Sequence, residues 1–158
     1  MKKLIALSAI AMLSSGAALA ENINISGSVA SVCEVSNLDT STYFPSIAKD
    51  QTTTLDFELQ CNDSDGATLK LTTSEGHLQN ADDEDDGVGY TAALTAAPFA
   101  FTLIADDGDN DESAEQSQPG SAALAVGGIP GTIVLTITED PIFSGTYSDT
   151  LMLTVTAN

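Results

Sequence analysis

Residues 55–61 read Leu-Asp-Phe-Glu-Leu-Gln-Cys, with an apolar side chain at every second position. In an extended chain this alternation sends Leu55, Phe57, Leu59 and Cys61 to one face and their polar neighbours to the other. The same period recurs through Leu69 and Leu71, through Phe99, Phe101 and Leu103, and through Ile133, Leu135 and Ile137. It returns in Leu151, Leu153 and Val155, with Met152, Thr154 and Thr156 turned outward, and in Ile23, Ile25, Gly27 and Val29 near the other end. Gly, Asn, Asp and Pro punctuate the runs, and threonine, which suits a pleated half-solvated surface, is dense throughout. Beyond residue 20 no segment holds a 3.6-residue period past two turns. The Ala-rich stretch from Thr91 to Ala97 is read as at most a single helical turn, stopped by Pro98. Short strands separated by turn signals predict an all-β fold, an antiparallel β-sandwich.

The first twenty residues are read apart from this fold. Met1-Lys2-Lys3 is a short basic start, Leu4 to Leu13 is apolar but too short to span a bilayer, and Ala18-Leu19-Ala20 has the form of a cleavage site. Residues 1–20 are therefore expected to be a signal peptide for Sec-type export, with the mature chain starting at Glu21. The remaining residues, about 138, suffice for one domain with a proper core. Cys33 and Cys61 both lie in this part, and an even cysteine count in an exported chain predicts a disulfide. A metal site on one histidine and two distant cysteines would lack ligands. Without the signal, only Lys49 and Lys70 oppose 23 acidic residues, and the chain has no arginine. Phosphate backbones and anionic lipid surfaces would repel such a chain, which argues against nucleic acid and membrane insertion alike.

No arrangement for catalysis emerges, so no enzyme activity, catalytic residue or cofactor is expected. His77 sits in a polar segment and is read as an exposed turn residue, no serine stands in a G-x-S-x-G elbow, and no Gly-rich loop precedes a helix. Carboxylates are plentiful, but they crowd into two loops, Ala81 to Gly87 and Asp106 to Ser113, without apolar neighbours to split their pKa values. Asp107, Asp109 and Asp111 match the early spacing of a calcium loop, yet the turn glycine and flanking helices are missing, so they are weak metal candidates beside the reading of a solvated loop.

The residues leave two arrangements open for Ile23 to Val29. The segment either pairs within its own chain as an edge strand, or supplies a strand to another copy, with Ile23, Ile25 and Val29 as plugs and Gly27 over a shallow place. The ending "FSGTYSDTLMLTVTAN" resembles the G-x-Y-x-D-T-[LV]-x-V-T-V close of the spore-coat-protein-U-like domain, the family that includes archaic (Csu-type) chaperone–usher pilus subunits. "ISGSVASVCEVS", "FELQCND" and "FAFTLIADD" fit the same family. The resemblance implies an immunoglobulin-like sandwich lacking its final strand and completed by donor-strand exchange, in a homopolymeric surface fibre serving adhesion and biofilm formation. It also implies a periplasmic chaperone and an outer-membrane usher as partners in transit, with residues 21–30 as donor segment and residues 31–158 as the pilin domain. By position, Ile23, Ile25, Gly27 and Val29 become the donor strand, and Val32, Val35, Leu151, Leu153 and Val155 edge the acceptor groove. Gly145, Tyr147 and Asp149 shape the entry to the last strand, the glycine through a positive-φ turn. The alternative is a secreted, self-complemented coat or binding module of the same fold, with calcium binding through the acidic loops as a further variant.

Overall fold

The computed structural model describes residues 23–83, 86–106 and 112–158. In chain order the elements are β1 (Cys33–Ser36), β2 (Thr52–Cys61), β3 (Ala67–Thr73), β4 (Leu78–Asn80), β5 (Gly87–Val88), β6 (Tyr90–Ala96), β7 (Phe99–Ala105), β8 (Ser113–Gln118), α1 (Ala122–Ala125), β9 (Ile129–Ile137), β10 (Tyr147–Ser148) and β11 (Leu151–Ala157). The chain is all-β with antiparallel sheets, as the alternation predicts. One layer has the order β1-β2-β9-β6-β7, the other β11-β3-β8, and a small third sheet has the order β10-β4-β5. Among the described residues no helix is long and apolar enough to cross a membrane.

The predicted inward faces form the core. Phe57, Leu59 and Cys61 of β2 meet Ile133 and Ile137 of β9, Leu94 of β6, Phe99 and Leu103 of β7, and Leu69 and Leu71 of the facing layer, all nearly inaccessible to water. Each large apolar side chain so buried stabilises the fold by about 1.5–3 kcal/mol. Phe57 stands opposite Gly131 in the β2–β9 ladder, and its ring occupies the space that a Cβ at 131 would need. The ladder thus needs a glycine there for close approach.

Two expectations change, and one strand appears where no expectation was stated. The Ala-rich stretch is strand β6 rather than a helical turn: Tyr90, Ala92, Leu94 and Ala96 all point inward, and ladders to β7 and β9 hold it on both sides. Alanine alternation carries little hydrophobic signal, so tertiary pairing decides the conformation. β8, a polar run, pairs with β3 through a backbone ladder and a Thr68–Ser117 hydroxyl hydrogen bond (2.6 Å), a pairing that sequence polarity conceals. Residues 23–32, despite their alternation, form no strand; the first ladder starts at Cys33.

The registers define two poles. Cys33 faces Cys61, Ala67 faces Ala157, and Leu59 faces Ile129 at what we call the lower pole. Thr52 faces Thr136, Thr73 faces Leu151, and Tyr90 faces Ile137 at the upper pole. α1 closes the lower pole with Leu124 fully buried, its single turn capped by the Ser121 hydroxyl, which accepts from the Leu124 N–H. Cys33 and Cys61 form the expected disulfide across directly opposed positions, with Cα atoms 4.0 Å apart. Closing the intervening loop, a sequence separation of 28, contributes roughly 3–4 kcal/mol in the chain-entropy account.

Candidate functional site: an apolar cleft between two unpaired edges

β11 pairs with β3 along one edge, and β1 pairs with β2 along one edge. Among the described residues neither has a ladder on its other side, and these two free edges approach each other on the same flank of the molecule without pairing. The β1–β2 ladder ends at Ser36 opposite Glu58. Above it the chain runs on as the irregular segment 37–49. Asp39 there stands in for a ladder, its N–H donating to the Asp56 carbonyl (3.1 Å) and its carboxylate accepting from the Asp56 N–H (3.0 Å). Between this segment and β11 the layers part, leaving a cleft of about 830 Å³. Its floor is Leu55, Ile133 and Leu135 of the larger layer; its walls are Leu38, Phe44 and Ile47 on one side and Leu151 and Leu153 on the other. A slot of this kind, apolar inside and edged by backbone groups free to pair, can take an extended peptide as an added strand.

The upper end of the cleft is fixed by Asp149. Its Oδ2 accepts from the Tyr90 hydroxyl (2.7 Å); its Oδ1 accepts from the N–H groups of Ser74 (3.2 Å), Glu75 (3.1 Å) and Thr150 (2.6 Å) and from the Ser74 hydroxyl (2.9 Å). One carboxylate therefore ties the start of β11 to the turn after β3 and, across the sandwich, to β6. Burial, followed by the hydrogen bond to Asp149, pushes the Tyr90 phenol far above its ordinary value, so it serves purely as a donor.

Beside it, Tyr147 holds the loop before β11. Its hydroxyl lies 2.6 Å from Asp86 Oδ2 and 2.8 Å from the Phe143 carbonyl oxygen, sharing one proton between two acceptors. Asn80 Nδ2 donates to the same Asp86 oxygen at 3.0 Å. Hydrogen bonds from Tyr147 and then Asn80 hold the Asp86 carboxyl below its usual 3.8. Gly145 is not in a positive-φ turn. It is glycine because the Asn80 amide occupies the place its Cβ would take. His77 differs from the exposed turn residue expected: it is half-buried, its ring fills the space beside Gly87, and its Nε2 is buried without a hydrogen bond.

The structure brings Leu151 and Leu153 into the cleft, while Val32, Val35 and Val155 are half-buried below it and do not line it. Ile23, Ile25 and Val29 are 86%, 92% and 90% exposed, and Gly27 has open space around it. The wall from Leu38 to Ile47 escaped the sequence reading because its apolar residues follow no regular period. Asp107, Asp109 and Asp111 lie outside the described residues; among the described residues no group of three metal-ligating side chains converges. Compared with known proteins, the chain matches no family model and no curated protein.

Proposed function

We propose that this chain is a structural subunit of a surface pilus, an immunoglobulin-like sandwich one strand short, assembled on the chaperone–usher pathway by donor-strand exchange. The observation that carries this reading is the pairing of an apolar, strand-width cleft with a free apolar segment of strand period in the same chain. Residues 23–29 of one copy fill the cleft of the next. Burying Ile23, Ile25 and Val29 there would contribute roughly 5–9 kcal/mol before ordering costs. The free edges of β11 and of the 37–49 segment supply backbone partners.

The two poles support a definite polarity. The segment leaves its own body beside Cys33 at the lower pole, and the cleft lies toward the upper pole. A donor arriving from a copy stacked above enters with Val29 uppermost and Ile23 deepest, antiparallel to β11 and parallel to β1. Such a contact is heterologous and does not close on itself, so it propagates as a filament. The resemblance of the C-terminal motif, the disulfide expected of an oxidising compartment, and the acidic surface that keeps unassembled copies soluble agree with export and transit through the periplasm to the cell surface.

The test is a chain lacking residues 21–30 mixed with a synthetic peptide of residues 21–31. We expect the peptide to raise the melting temperature with saturation, as a ligand of the native state does, and an Ile25→Asp peptide to fail. A wild-type peptide without effect, on a truncated chain that is already as stable as the full one, would refute the donor assignment.

A further inference from the structure

We infer that Asn62 is a positioning residue that aims the N-terminal segment away from its own cleft, so that it completes another copy rather than itself. The inference rests on the donor-strand reading above and adds the device that selects exchange over self-closure.

Asn62 follows β2 immediately. Its backbone N–H donates to the Val32 carbonyl at 2.9 Å, its Oδ1 accepts from the Val32 N–H at 2.8 Å, and its Nδ2 donates to the Ala30 carbonyl at 2.8 Å. The first two bonds make Val32 and Asn62 a hydrogen-bonded pair one step beyond Cys33 and Cys61, with the side-chain oxygen acting as the second acceptor. The third bond reaches one residue pair further. Residues 30–32 are thereby held as a continuation of β1, beyond the last ladder position, and residues 23–29 stand clear of the body.

Self-closure requires the opposite geometry. Cys33 is at the lower pole and the cleft lies above it. To enter its own cleft, the chain must reverse within residues 30–32 and run back up along the free edge of β1 as a hairpin. Such a turn needs both the Ala30 carbonyl and the Val32 N–H to leave Asn62. The amide of asparagine carries its acceptor and its donor on two separate atoms, so it meets the Val32 N–H and the Ala30 carbonyl at the same time. Alanine offers neither, and aspartate keeps the acceptor while losing the donor to Ala30.

The test uses the mature chain, residues 21–158, as wild type, N62A, N62D and a form lacking residues 21–30, refolded with the disulfide intact. Chain-length distributions are measured by size exclusion with light scattering at matched concentrations. Wild type forms chains and the truncated form does not. N62A shifts at least fivefold from chains toward monomer, and deleting its residues 21–30 lowers that monomer's melting temperature, the mark of a segment folded back in cis. N62D falls between the two, and being nearly isosteric it reports even if N62A folds poorly. Wild-type distributions in N62A and N62D, with chaining still abolished by truncation, would overturn the role of Asn62 and leave the donor reading standing. A wild type that never chains would overturn the donor reading and this inference together.

Discussion

Asp149 carries more of the site than any other single residue. Five donors converge on its carboxylate, and one is the phenol of Tyr90, which is 4% exposed. Bonds to a charged acceptor are individually stronger than neutral ones, and removing the acceptor leaves a buried hydroxyl unsatisfied. We expect Asp149→Ala to cost about 2–4 kcal/mol in urea unfolding, and Tyr90→Phe only about 1 kcal/mol, because phenylalanine leaves the other four donors in place. Asp86 gives a pH signature. Its native pKa is depressed, so at low pH the unfolded chain binds its proton first. Its contribution is present above the ordinary carboxylate value of 3.8 and is lost as pH falls through the lower native value. Asp86→Asn should flatten that part of the acid limb in a stability-versus-pH series while leaving the neutral-pH side of the curve parallel to wild type. The sequence motif around Gly145, Tyr147 and Asp149 was legible as a motif, but its partners Asn80, Asp86 and Tyr90 lie some 60 residues away and no local pattern links them.

Elements with strong side-chain alternation are those the sequence specifies. In β2 and β9 every fully buried position carries an apolar residue or the glycine that admits Phe57, and a shift of one residue would turn that whole face to water. β6 and β8 were illegible for opposite reasons. Half of the inward side chains of β6 are alanines, and β8 hardly has an apolar face, being held by its ladder to β3. Residues 23–29 show the converse: a strand period with no ladder. Periodicity specifies what a segment could pair as, and the available edges decide whether it does. At this scale Gly131→Val should be severely destabilising, by about 3 kcal/mol or more in denaturant unfolding, since its side chain and the Phe57 ring claim one volume. Reducing Cys33–Cys61 should cost roughly 3–4 kcal/mol. It should also loosen the start of β1, detectable as faster amide exchange at residues 32–36.

At the scale of the whole molecule, the two layers meet along one flank and part along the other. The parted flank bears both free edges, and the only long apolar segment standing clear among the described residues leaves from the pole opposite the cleft. On the proposed reading, a fold arranged in this way would complement a second copy of itself in a head-to-tail sense. The central claim is that the cleft of one copy holds residues 23–29 of another. The most direct measurement is isotope-filtered NMR on assemblies mixed from two pools, one with labelled isoleucine methyls and the other with labelled leucine methyls. We predict contacts between the Ile23 or Ile25 methyls of one pool and the Leu151 and Leu153 methyls of the other. The absence of these contacts between the pools, whether they appear only in a second sample whose every copy carries both labels diluted into unlabelled chain or do not appear at all, would contradict the account.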